Sequence, residues 1–307
     1  MTKPITQHGV QSPSLNVSLS DSFGLNAASQ KSIAPLKLSL SQMTTLRWSL
    51  VDEVFQLKQA GYDAIGLWRP KVAESGEQRA AEVLQKARLP VSSLSFAGGF
   101  TGGCGFSYVD AVADAKQAIE EARVLGAANV IMVSGSQNGH TGRHSRRMVV
   151  DAMRELGQLA AIDQIQLSLL PMHQFFSKRW TFLNSLDQAL DVIDQIANSQ
   201  VRLAFDAYQL SEEPRLLERI REIAALTGIV QLSDSDRAPI SEKDRLLPGE
   251  GKIPLTEVVQ AFQTAGFAGY FDIQVWSGNV WKSNYVHLIE QSHAVVKAMS
   301  HRAAVSA

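Results

Sequence analysis

From residue 35 onward, short aliphatic and β-branched runs alternate with longer runs whose apolar residues recur every three or four positions. The short runs have the length of buried strands, and the long ones have the period of helices packed by one face. The predicted strands are PLKLSLSQ (35–42), DAIGLW (63–68), PVSSLSF (90–96), ANVIMVSG (128–135), IQLSLL (165–170), VRLAFD (201–206), GIVQLSD (228–234) and GYFDIQVW (269–276). Predicted helices fall between them at 49–61, 77–88, 108–126, 148–161, 185–197, 213–226 and 255–266, and a last one at 285–299 closes the chain. Ser49 with Asp52, and Ser185 with Gln188, have capping-box spacing, and Gly61 is placed to stop the first helix.

Eight strands alternating with eight helices predict an α/β fold, a closed (β/α)8 TIM barrel in a single domain, over a doubly wound open sheet. No glycine-rich dinucleotide fingerprint follows the first strand, which weakens the open-sheet alternative further. Residues 1–34 are polar and serine-rich and read as a flexible tail, leaving 35–302 for the barrel.

Composition narrows the function classes. A net charge of -1 supplies no overall field for a phosphate backbone or an anionic membrane, so neither nucleic acid nor membrane is expected as a partner. The single cysteine, Cys104, has no companion for a disulfide or a thiolate metal site, which fits a reducing compartment. With no apolar run long enough to span a bilayer and no secretory signal, a cytoplasmic location is expected.

In a barrel of this kind, chemistry sits at the C-terminal ends of the strands and in the loops after them. Those positions are Trp68 and Arg69, then 96–103, 134–140, 169–173, 205–209, 231–236 and 274–276. The segments LLPMH, FDAYQL, DRLLPGEGKIPL and GYFDIQVWS, in this order, resemble the sugar phosphate isomerase/epimerase family, the xylose isomerase-like barrels, over roughly residues 36–300. The resemblance implies a divalent metal (manganese, magnesium or zinc) held by a glutamate on the fifth strand, an aspartate on the sixth, a histidine or glutamine on the seventh and a glutamate on the eighth. The two glutamates also move the substrate proton.

Matched to that pattern, this chain has Leu170 for the first glutamate, Asp206 as the aspartate, Gln231 at the histidine/glutamine position and Gln274 for the second glutamate. Gln209 stands where a histidine is common, and His173 matches the family. A hard dication requires several charged oxygen ligands, whereas leucine has no lone pair and a glutamine amide is no base near neutral pH. The expectation is therefore a degenerate metal site with no cofactor, remnant positions at Asp206, Gln231 and Gln274, and a pocket that still binds a small sugar or polyol.

The candidate catalytic residues are Asp206 and His173, and the candidate substrate contacts are Trp68, Arg69, His173, Arg245 and Trp276. Two alternatives stay open: an active isomerase or epimerase with a metal-free acid/base site, and a partner-binding barrel without a small ligand. Asp234 and Asp236 read as turn caps, and RHSRR (143–147) as a solvated helix face. The glycine-rich loops at 96–103 and 134–140 lack a Walker lysine pattern, and His140 and His144 lack a third ligand for zinc.

Overall fold

A computed structural model of the chain describes residue 33 and residues 35–103 and 106–301. The polar N-terminal stretch and Cys104 lie outside the described residues. Eight parallel strands, β1 (Lys37–Ser41), β2 (Ala64–Trp68), β3 (Val91–Gly98), β4 (Asn129–Val133), β5 (Gln166–Leu169), β6 (Val201–Asp206), β7 (Thr227–Leu232) and β8 (Tyr270–Ile273), close into a barrel in sequence order. The helices are α1 (Leu50–Gln59), α2 (Arg69–Ser75), α3 (Glu77–Ala87), α4 (Tyr108–Leu125), α5 (Gly142–Ile162), α6 (Leu186–Ile196), α7 (Leu216–Ile223), α8 (Leu255–Thr264) and α9 (Tyr285–His301). The (β/α)8 expectation is what the chain adopts, with every predicted strand in place.

Local chemistry refines the helix ends. Ser49 and Ser185 each accept from the backbone three residues on, but neither completes the reciprocal half of a capping box. The complete box forms at Ser107 and Asp110, ahead of α4. α5 begins at Gly142, six residues before its apolar periodicity starts, because the Thr141 hydroxyl accepts from His144 N and caps a polar first turn. α2 follows β2 directly, with Pro70 in its first turn where a missing N–H costs nothing. No helix among the described residues is long and apolar enough to cross a membrane.

The main hydrophobic core lies between the sheet and the helices. A second cluster lies inside the barrel beneath its mouth, built from Ile131, Val133, Leu170, Met172, Phe176, Ala204, Tyr208 and Ile229, with Phe96 and Trp180 packed on it. Below the mouth the interior turns polar. Ser168 donates to Asn129 Oδ1 at 2.8 Å, and Ser39 donates to Asp272 Oδ1 at 2.5 Å. Gly66 leaves room for that carboxyl, because a Cβ there would stand 3.0 Å from both Asp272 oxygens. Each fully buried leucine or phenylalanine stabilises the fold by about 1.5–3 kcal/mol, so these two clusters hold the strand ends rigidly.

Candidate active site

β6 ends on Asp206, and the strand register sets Asp206, Gln231, Asp272 and Ser39 side by side on β6, β7, β8 and β1. Asp206 is 1% exposed and fully engaged. Its Oδ1 accepts from Tyr208 N at 3.0 Å and Gln209 N at 3.2 Å, and its Oδ2 accepts from Arg245 Nη1 at 2.9 Å. Arg245 comes from the long loop after β7. Its Nη1 also reaches Ser233 Oγ at 3.1 Å and the Gln274 carbonyl at 3.5 Å, while the guanidinium lies 4.5 Å from the Tyr208 ring centroid. A carboxylate with this little exposure is held by a cation and two amides, as burial of charge requires.

These residues floor a cavity of about 40 Å³, whose walls include Met43, Phe96, Leu170, Met172, Phe176, Trp180, Gln209, Glu242, Gln274 and Trp276. One side is hydrocarbon and the other carries the polar groups. Several buried polar atoms have no protein partner among the described residues: Gln274 Oε1, Trp276 Nε1, and both Oε1 and Nε2 of Gln231. Gln274 Nε2 is spent on the weak acceptor Met43 Sδ at 3.0 Å. An unsatisfied buried polar atom costs about 1–3 kcal/mol, so this set favours a bound polar molecule.

Asp272 is a buried carboxyl that sequence reading missed. It is wholly buried, its Oδ2 has no protein partner, and burial pushes its carboxyl up to about 7, with the Ser39 hydrogen bond opposing and the Asp206 charge adding to the rise. The signal was present, since residues two apart on a strand share a face and Gln274 had already been placed facing inward. By the strand rise, Asp272 stands roughly 6–7 Å deeper than Gln274. Trp180 and Glu242 were also missed. They meet through an indole donor, Trp180 Nε1 to Glu242 Oε1 at 2.8 Å, and both arrive on loops with no local pattern to mark them.

Three expected contacts are corrected. Arg69 does not line the cavity, because its guanidinium donates to Asp114 at 2.9 Å, Glu121 at 2.7 Å and the Phe96 carbonyl at 3.2 Å, which turns it onto α4. His173 does not line the cavity either. Its Nδ1 accepts from Phe175 N at 3.2 Å, which leaves the proton on Nε2 facing Glu212 at 2.8 Å, so the ring fastens a turn. Trp68 stands behind the wall, edge-on to Trp276 with ring centroids 6.0 Å apart. Asp234 is a brace: its carboxylate accepts from Ser235 N, Gly249 N and Ile253 N and folds the loop that delivers Arg245.

The sequence pattern of the xylose isomerase-like TIM barrels matches residues 54–299. The chain belongs to that family. It is 20% identical over 275 residues to an inosose isomerase of Bacillus velezensis, covering 86% of this chain and 97% of the relative. It is 26% identical over 125 residues to a D-psicose 3-epimerase of Enterocloster bolteae, a match that spans 40% of this chain and 38% of that protein. Among solved structures, the IOLI protein with a binding zinc atom superposes with a TM-score of 0.73 at 18% identity, over 87% of this chain and 98% of that one.

The residues at the family's metal position do not fit a dication. Leu170 presents hydrocarbon, both Asp206 oxygens are already engaged, and the Arg245 cation lies 2.9 Å from one of them. The other donors at the strand ends are the neutral amides of Gln231 and Gln274, and the Glu242 carboxylate, which also lines the cavity, is bonded to Trp180 Nε1 and paired with Arg179. Among the described residues no group of three or more His, Cys, Asp or Glu side chains converges to hold a metal ion. A hard cation here would meet two carboxylates already paired with Arg245 and Arg179, which is too little negative oxygen to offset its dehydration.

Proposed function

We propose that this barrel binds a small sugar-like or polyol ligand at the Asp206–Arg245 pair, without a divalent metal and without metal-dependent isomerase activity. The observation that supports it most is the pair itself: a guanidinium takes the place of a metal as the partner of the buried Asp206. Arg245 and Trp276 offer donors to a carbonyl or hydroxyl oxygen, Gln274 Oε1 offers an acceptor, and the Leu170 and Phe176 wall suits the C–H groups at one end of a sugar. Relatives named for an inosose and for psicose point to a ketone-bearing polyol as the ligand class. Metal-free proton transfer by Asp206 is the weaker reading, because both of its oxygens already accept hydrogen bonds from the protein.

Titration calorimetry with D-psicose, D-fructose, myo-inositol and scyllo-inosose in the presence of EDTA tests this. At least one compound is expected to bind, with unchanged affinity when manganese replaces EDTA. The same samples in heavy water are expected to show no exchange of the carbon-bound proton beside the carbonyl. Binding or exchange that requires manganese contradicts the proposal, and no binding by any member favours a barrel without a small ligand.

A further inference from the structure

The cavity over Asp206 is not the only space at the mouth. A cleft of about 440 Å³ lies beside it, bordered by the loops after β3 and β4 and by Lys178 and Arg179. The two spaces share two walls, Phe96 and Trp180, whose ring centroids are 6.2 Å apart. Trp180 is held in place. Its indole N–H donates to Glu242, and the Arg179 guanidinium, paired with the same carboxylate at 3.3 Å, lies 5.4 Å from its ring centroid.

Size separates the roles of the two spaces. About 40 Å³ holds roughly three water-sized groups, which is one end of a sugar and not a whole ring. The outer cleft is within the range of small-molecule sites and large enough for a complete ring. Its chemistry also suits one: the aromatic walls Phe96 and Trp180, the hydroxyl of Ser136, the amide of Asn138, and an ammonium on Lys178. An aromatic wall with a few polar groups around it stacks against the C–H face of a sugar and bonds its hydroxyls.

We infer that the two spaces form one elongated site for a two-ring ligand, a glycoside whose polar end enters the cavity at Arg245 while its second ring lies against Trp180 in the outer cleft. This rests on the sugar-like reading above and deepens it. The inner space supplies the charged contact and the outer space supplies most of the buried area. A single-ring compound gains only part of the binding.

Calorimetry on the full chain with matched probes tests it: myo-inositol against galactinol, D-glucose against maltose and cellobiose, and D-fructose against sucrose. At least one two-ring probe is expected to bind tenfold or more tighter than its one-ring part. Ser136→Phe, which fills the outer cleft, is expected to remove that gain. Trp180→Ala is expected to remove it as well, with circular dichroism checking that each variant folds. One-ring binding with no gain for any two-ring probe overturns the two-ring inference while sparing the sugar-like reading. A gain that survives Ser136→Phe also overturns it. Absence of binding by every probe overturns both.

Discussion

Arg245→Met lowers stability by about 3–5 kcal/mol, the cost of leaving a buried carboxylate without its cation. Asp206 is 1% exposed and Arg245 is 7% exposed, so water cannot replace the lost partner without opening the strand ends. The two amides on Oδ1 remain in the variant, but Oδ2 loses its cation and its charge is left uncompensated. Adding Asp206→Asn to the first substitution removes the charge itself, so the double variant recovers most of the loss. That non-additivity is the signature of a coupled buried pair. Urea unfolding of the four proteins measures it, and a loss below about 1 kcal/mol for Arg245→Met would show the pair to be no more than a surface contact.

Asp272→Asn changes how stability depends on pH. The wild-type carboxyl titrates near 7 when folded, because burial opposes its ionisation, and near the ordinary aspartate value when unfolded. Between roughly pH 4 and pH 7 the folded protein holds a proton that the unfolded chain has released. Stability from this group is therefore complete below pH 4 and is lost as pH rises through 7, by on the order of 4 kcal/mol over three units. Asparagine keeps an oxygen for the Ser39 hydroxyl and does not titrate. The stability difference between variant and wild type thus grows in favour of the variant from pH 5 to pH 8. A difference that stays constant across that range would mean the carboxyl is not buried as described.

The barrel was legible in the sequence because its strands advertise themselves. IQLSLL and VRLAFD are aliphatic runs between clear helix stops and starts, and closure in sequence order follows from eight such units in a row. α2 was not legible, since RPKVAES is too short to show a period. At the site, the place of Asp206 at the cavity was legible because a carboxylate at the end of an apolar strand is a local signal. Arg69, the first residue after β2, gives a similar local signal but turns away from the cavity. Its partners Asp114 and Glu121 lie 45 and 52 residues further on, and nothing local marks that pairing. His173 was misread likewise, because Glu212 reaches it from the far side of α6. The Arg245 contact to Asp206 depends on how the loop braced by Asp234 folds back over the mouth, which is a tertiary fact. Strand-end position tells which residues are near the mouth, and pairing across loops decides which of them face the cavity.

We propose that the Asp206–Arg245 pair stands in place of a metal in this barrel. Titration of the EDTA-dialysed wild-type protein with manganese, read by calorimetry, tests it most directly. Given two carboxylates already paired with Arg245 and Arg179, and two neutral amides, no saturable binding tighter than about millimolar is expected. One manganese per chain bound at micromolar affinity or tighter would contradict the account.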